Sequence, residues 1–343
     1  MVVRIYVMVY NALYGLGRKV MRKFNKYMDI LWIKIRPEVD ITNTIYITGG
    51  ARTGTTWLEE ILERGLRGYR SLHEPFSPFF YKEAYNVYSK VDYPTPPFTL
   101  YVYRRHENQH VTEYTRRVLK GNVIGETTGK IRRTIERIER LRAWRVIVKD
   151  INAVRSLPYI ADRFNVKLYL LILRNPGATI ASRLKMRSSQ GRIPTPAELR
   201  RSILNTQAQA RRIVELDPEQ IRITEKIGNL VELLAVNWAL DYLVPLTYIK
   251  EGKYHLVYYE DLILDPQTEL DRLFKLVGEE PIVELERLYK RLSSTAIEKG
   301  IDPRKQLSKW RNTISKDYIK KIFYIVNELG IEIYNEYSDV PIK

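Results

Sequence analysis

Residues 50 to 57 read Gly50-Ala51-Arg52-Thr53-Gly54-Thr55-Thr56-Trp57, a combination suited to holding a phosphate. Glycines at 50 and 54 allow backbone dihedrals and close approaches that other residues resist. Consecutive backbone N–H groups at the positive end of a helix cradle an anion. Thr53, Thr55 and Thr56 add hydroxyl donors, and Arg52 adds a cation. A second cluster follows some 120 residues later: Arg174-Asn175-Pro176, then Ser182. An arginine at a strand end and a hydroxyl on the next helix converge readily on one phosphate group.

Both clusters need a strand to deliver them and a helix to receive them. Thr44 to Thr48 is a short β-rich run ending in Gly49-Gly50, and Leu58, Ile61, Leu62 and Leu66 form a helical stripe from about Thr55 to Leu66. Tyr69 to Phe80 reads as a short strand and a loop, and Tyr93 to Phe98, with three prolines, as a loop. Asn122 to Gly125 reads as a further strand. Arg145 to Lys149 and Lys167 to Leu173 are nearly unbroken apolar runs, as expected of buried parallel strands. Asn175 caps a helix opening at Pro176. His255 to Tyr259 is the last strand, and Asp265-Pro266 opens another helix. Helices are expected near Pro281 to Leu292 and Ser315 to Leu329. Strands alternating with helices predict an α/β fold, a parallel sheet covered on both faces in three layers.

The 343-residue chain is long enough for a sizeable core. Lysine and arginine exceed aspartate and glutamate by 57 − 40, a net charge of +17, which favours an anionic partner. Cysteine is absent, which excludes disulfides, thiolate catalysis and cysteine-ligated zinc and is compatible with a cytoplasmic location. Ile5 to Gly17 is mostly apolar but shorter than the about 20 residues a bilayer span needs. No small-residue cleavage site follows, so no secretory signal is expected. With the basic stretch Arg18 to Lys26, residues 1–26 form a helical leader that would lie on an anionic membrane or pack on the protein's own body. Residues 1–40 are expected to be this leader and residues 41–343 one catalytic domain.

The spacing Gly49-x4-Gly54 resembles a nucleotide-triphosphate P-loop, but position 55, where the lysine would fall, is a threonine. That departure weighs against a P-loop kinase-like enzyme while keeping the phosphate site. Arg52-Thr53-Gly54-Thr55-Thr56-Trp57-Leu58 resembles the Pro-[Lys/Arg]-[Ser/Thr]-Gly-Thr-Thr-Trp-Leu segment of sulfotransferases, with Ala51 in place of the proline. Arg174-Asn175-Pro176 with Ser182, and Tyr259-Glu260-Asp261-Leu262 with Asp265-Pro266, are similar to further family segments. Arg304-Lys305, followed by Trp310-Arg311-Asn312, resembles the donor-binding tail, with Gln306 where the family has glycine.

The resemblance implies a P-loop-like sulfotransferase fold and transfer of a sulfuryl group from 3′-phosphoadenosine 5′-phosphosulfate (PAPS) to an acceptor hydroxyl, with no metal required. It implies that Arg52 to Trp57 hold the 5′-phosphosulfate, and that Arg174, Ser182, Arg304 and Lys305 hold the 3′-phosphate. Lys149 ends a strand, as does a lysine of cytosolic members that touches the bridging oxygen. Those members place a histidine base two residues later, where this chain has Ile151. Carbohydrate and tyrosyl-protein members use a glutamate after the first helix, where Glu74 stands in Leu72-His73-Glu74-Pro75-Phe76. A carboxylate beside aromatics is expected to have a raised pKa, which suits a general base. His73 and Glu126 are the other candidates. The glutamate leans towards a carbohydrate or glycoconjugate acceptor, and Gly129 to Arg142 and Pro196 to Asp217 are expected to cover the acceptor side or mediate contacts.

One motif competes. His106-Glu107-Asn108-Gln109-His110 fits His-Glu-x-x-His, in which two histidines one helical turn apart bind zinc and the glutamate acts as base. Its polar interior and the preceding Arg104 and Arg105 disfavour a metalloprotease. No nucleic-acid motif accompanies the positive charge, so no nucleic-acid partner is expected.

Overall fold

A computed structural model describes residues 27, 30–35, 39–91, 99–125, 142–289 and 303–342. The leader 1–26, the 92–98 loop, Glu126 and the 129–141 insertion lie outside these residues.

The apolar runs build one sheet. Its strands are β1 (Ile45–Thr48), β2 (Tyr69–His73), β3 (Arg145–Asp150), β4 (Leu168–Leu173) and β5 (His255–Tyr258), in the order β2-β3-β1-β4-β5. All four pairings are parallel. Every residue of β1, β3 and β4 is buried, as a sheet sandwiched between helices requires. Alternate side chains go to opposite faces. Ile45, Ile47, Ile147, Leu168, Leu170 and Ile172 enter one core, and Tyr46, Val146, Val148, Tyr169, Leu171 and Leu173 enter the other.

The helices are α1 (Thr55–Gly65), α2 (Lys82–Lys90), α3 (Gln109–Leu119), α4 (Leu157–Arg163), α5 (Pro176–Ser189), α6 (Pro196–Ala210) and α7 (Pro218–Glu225). They continue with α8 (Leu230–Thr247), α9 (Tyr259–Leu264), α10 (Pro266–Val277), α11 (Leu285–Tyr289), α12 (Pro303–Ser308) and α13 (Lys316–Glu328). α1 and α10 cover the first face, and α8 and α13 lie in the second core. The segment Leu230–Glu251, which contains α8, is long and apolar enough to cross a membrane, yet 67% of an 18-residue apolar stretch within it is buried inside the fold. A helix apolar all round is what a core position demands. The fold is α/β in three layers. Trp32, at 1% exposure, donates its indole N–H to the Ala143 carbonyl, which ties the helical stretch 30–35 to the body.

Two expected elements differ. Asn122 to Gly125 is irregular rather than a strand, because it finishes α3. Gly121 takes a left-handed φ of 71°, and the Asn122 amide donates to the Arg117 carbonyl at 2.8 Å. The helix expected from Pro281 begins only at Leu285, because the Ile282 amide is tied to the Gly65 carbonyl at 2.9 Å.

Candidate functional site

β1 lies between β3 and β4: after β1 the chain builds β2 and β3 on one side, then crosses over to build β4 and β5 on the other. In open parallel sheets such a switch opens a crevice at the carboxyl ends of the strands. The turn between β1 and α1 fills that crevice. A Cβ on Gly49 would stand 2.5 Å from the Ile172 carbonyl, so only glycine fits beside β4. Gly54 takes φ 98° as the residue before α1 and gives the helix no side-chain cap. The Trp57 amide turns back to the Gly54 carbonyl at 2.9 Å, while those of Thr55 and Thr56 have no acceptor among the described residues and are left for a ligand.

The turn is held from all sides. Thr53 donates its hydroxyl to the Gly50 carbonyl at 2.7 Å and is fully buried. That hydroxyl shapes the loop instead of facing outward, contrary to the expectation that it would meet a phosphate. Arg183 Nε donates to the Ala51 carbonyl at 3.0 Å and Arg174 Nη1 to the Arg52 carbonyl at 3.1 Å. The Tyr242 hydroxyl accepts from the Gly50 amide at 2.8 Å and donates to the Ile172 carbonyl at 2.9 Å. Asp241, next to it on α8, accepts from buried Arg155 at 2.9 Å and lies 3.8 Å from Arg183. Nothing local to Tyr242, Asp241 or Arg183 signals this use, since it depends on contacts up to 192 positions away.

The two clusters meet. Arg52 Nε donates to the Ser182 hydroxyl at 3.1 Å. The Arg174 guanidinium lies 4.3 Å above the Tyr259 ring, and its Nε is buried with no hydrogen-bond partner among the described residues. Neither Arg52 nor Arg174 has a carboxylate partner among the described residues. Burial first, then the like charges of Arg174 and Arg183, hold the Arg52 pKa below its ordinary value. Arg174 feels the buried Glu260 carboxyl, but no carboxylate among the described residues makes ion-pair contact with either guanidinium, and cations crowded in this way favour an incoming polyanion.

A third group lies at the ends of β2 and β3. Lys149, 2% exposed, places Nζ 2.6 Å from Glu74 Oε1. His73 Nε2 is 3.4 Å from the same oxygen, and His73 Nδ1 is 2.9 Å from Glu59 Oε2. The expected rise in the Glu74 pKa is overturned. Burial pushes it up, but the Lys149 charge and the His73 contacts outweigh burial and hold the carboxyl well below the usual range. For His73, burial disfavours the charged ring, while the Glu59 charge and the hydrogen bonds to Glu59 and Glu74 raise its pKa overall.

Backbone strain marks the same residues. Arg52 (φ 72°) and Glu74 (φ 51°) are the two non-glycine residues with positive φ among the described residues. Such conformations cost about 1–3 kcal/mol each and collect at functional sites. In Glu74 the price is offset by its amide, which donates to the Lys149 carbonyl at 2.6 Å and turns the side chain towards the lysine's own strand.

Other candidates fall elsewhere. Arg304 and Lys305 lie on α12, which packs on α9, and Lys305 is exposed. Trp310 packs on Gly177, where a Cβ would come within 2.4 Å, and donates to Asp339 at 3.1 Å. The His-Glu-x-x-His reading does not hold. α3 begins at Gln109 with Asn108 as its cap, so His106 precedes the helix and the two imidazoles do not stack one turn apart. The described residues contain no group of metal-ligating side chains.

A strand-turn-helix loop with paired cations at the switch of a parallel sheet defines an anion-binding site of the kind α/β enzymes place there. The chain matches the sulfotransferase family model over residues 44–282 and belongs to that family, so the group it transfers is sulfuryl. It is similar to the sulfotransferase domain of the curacin biosynthetic pathway, at 17% identity and TM-score 0.41, covering 84% of this chain and 97% of that one. It is also similar to the sulfotransferase domain of the Synechococcus PCC 7002 olefin synthase, at 17% identity and TM-score 0.40, covering 82% and 93%. Mouse sulfotransferase SULT7A1, solved in complex with PAP, matches at 13% identity and TM-score 0.44, covering 86% and 87%. No curated protein matches.

Gly54→Ala tests the turn. An added Cβ would fall 2.5 Å from the Tyr259 ring at a left-handed φ, so both loop and ring must shift. The expected loss of stability is about 1–3 kcal/mol, read from urea unfolding midpoints. A variant as stable as the parent would show that the turn relaxes freely.

Proposed function

We propose that this sulfotransferase moves the sulfuryl group of PAPS to a hydroxyl of a carbohydrate or glycoconjugate. The observation that carries the reading is the meeting of Arg52, Ser182 and Arg174 above one loop, two guanidiniums without carboxylate partners among the described residues. A donor with phosphates on the 5′ and 3′ oxygens of one ribose needs two adjoining anion sites of this kind. Arg52 and the free α1 amides receive the 5′-phosphosulfate, and Arg174 and Ser182 the 3′-phosphate.

Glu74 takes the acceptor hydroxyl proton as the acceptor oxygen bonds to sulfur. The bond between sulfur and the bridging oxygen breaks, and its electron pair leaves on the 5′-phosphate. Lys149 turns from Glu74 to that bridging oxygen, and its departure restores basicity to Glu74 as the donor binds. Like phosphoryl transfer, the step depends on positioning and electrostatics. Glu74, in place of a histidine at Ile151, supports a sugar hydroxyl over a phenol.

The test is thermal stabilisation by 3′,5′-ADP compared with ATP, followed by labelled sulfuryl transfer from PAPS to oligosaccharide and phenol panels. At 100 times Kd, 3′,5′-ADP should stabilise by about 2.7 kcal/mol. ATP should shift the melting temperature less, and sugars should be labelled. Stronger stabilisation by ATP would overturn the donor assignment, and labelling of phenols alone the acceptor.

A further inference from the structure

Glu59 lies one turn into α1 and is 4% exposed. A carboxylate so buried requires partners. One is His73, whose Nδ1 is 2.9 Å from Glu59 Oε2 while its Nε2 faces Glu74 Oε1 at 3.4 Å. Lys149 reaches that same Glu74 oxygen at 2.6 Å. Both nitrogens of the ring thus face carboxylate oxygens. Nδ1 stands at hydrogen-bond distance and Nε2 at ion-pair distance, and because ionised carboxylates only accept, a ring with one on each side is best matched as imidazolium. The charged groups around His73 are Glu59 from α1, Glu74 beyond β2 and Lys149 from β3. Glu63, one turn further along α1, accepts from the Ser71 amide at 3.1 Å.

Glu74 Oε1 therefore has two cationic anchors of different kinds. On the reading above, Lys149 leaves for the donor's bridging oxygen during the reaction. His73 has no such second task, because Glu59 fixes it from behind. We propose that Glu59 and His73 form a positioning pair, in which Glu59 keeps His73 as the imidazolium that holds Oε1 of Glu74 while Lys149 engages the donor, leaving Oε2 directed at the acceptor hydroxyl. The inference rests on Glu74 as the base. It adds Glu59, a residue of the first helix, to the machinery.

A purely structural glutamate would affect stability and leave the pH profile in place. A positioning pair sets the alkaline limb of kcat, because activity falls as the imidazolium loses its proton. Two measurements test this on the full chain. The first is an NMR titration of the His73 ring in the wild-type protein and in Glu59→Gln. The second is kcat and donor KM against pH for wild type, Glu59→Gln, His73→Gln and Glu74→Gln.

In the wild-type protein His73 should titrate above an ordinary histidine. In Glu59→Gln the ring titration and the alkaline limb of kcat should both move to lower pH, by roughly one unit or more, with donor KM unchanged. His73→Gln should lose the limb and lower kcat by on the order of 10- to 100-fold. A wild-type ring titrating at or below the ordinary value would overturn the pair, and that measurement stands even if Glu59→Gln does not fold. An unmoved limb in Glu59→Gln, with Glu74→Gln inactive, would overturn the pair alone. Full activity in Glu74→Gln would overturn the base assignment itself, whatever the ring does.

Discussion

Arg52→Ala should lower kcat/KM for sulfuryl transfer by roughly 10³-fold or more, the scale lost when a cation facing a transferred, charged group is removed. Its unfolding temperature without ligand should stay the same or rise slightly. The loop's anchors use the Arg52 carbonyl, which accepts from Arg174, and the one side-chain hydrogen bond of Arg52 among the described residues goes to the Ser182 hydroxyl. Removing the guanidinium also relieves its repulsion with Arg174 and Arg183. The stabilisation by 3′,5′-ADP should disappear in Arg52→Ala and again in Arg174→Ala. Arg174→Ala should differ kinetically, raising donor KM more than it lowers kcat, because its proposed phosphate is remote from the breaking bond. Arg52→Lys should recover part of the lost rate, since a charge remains although the planar fork is gone. Steady-state kinetics with PAPS and melting curves with 3′,5′-ADP decide the matter. A fully active Arg52→Ala would remove that residue from the reaction.

Glu74→Gln should lower kcat by roughly 10²- to 10⁴-fold, the usual contribution of a positioned base, with donor KM nearly unchanged. The pH dependence is signed by the geometry. In the free enzyme Lys149 and His73 hold the Glu74 carboxyl well below the usual range, so kcat/KM should keep its value on acidification to below the ordinary glutamate pKa. Lys149→Met removes the larger of those opposing charges and leaves burial less opposed. The Glu74 pKa then rises, and the acid limb of kcat/KM should move up by about one unit or more, beyond the loss of rate caused by removing the lysine. An acid limb at the same pH in wild type and Lys149→Met would show that another group titrates there.

Much of this protein can be read along the chain. The strand, turn and helix from Ile45 to Gly65 are set by local rules: an apolar β run, glycines at 49, 50 and 54, and a helical stripe. Asn175 caps α5 through its side chain, which accepts from the Ala178 amide three residues on, as the Asn-Pro sequence predicts. The parallel sheet follows from the alternation of apolar runs with helices. Each of these features arises from interactions within a few residues, so sequence neighbours contain the information.

Three decisions belong to the tertiary structure. Tyr242 holds the Gly50 amide from 192 positions away, and nothing beside either residue announces the contact. The short pattern from His106 to His110 looks helical in isolation, but Asn108 turns its side chain to the Val111 amide and starts the helix too late to pair the histidines. Glu74 stands among aromatic neighbours that suggest a raised pKa, whereas Lys149, 75 positions later, reverses the sign. The chain lays out covalent neighbours in order. The energy of a charge depends on distance through space, and only the folded sheet brings the ends of β2 and β3 together.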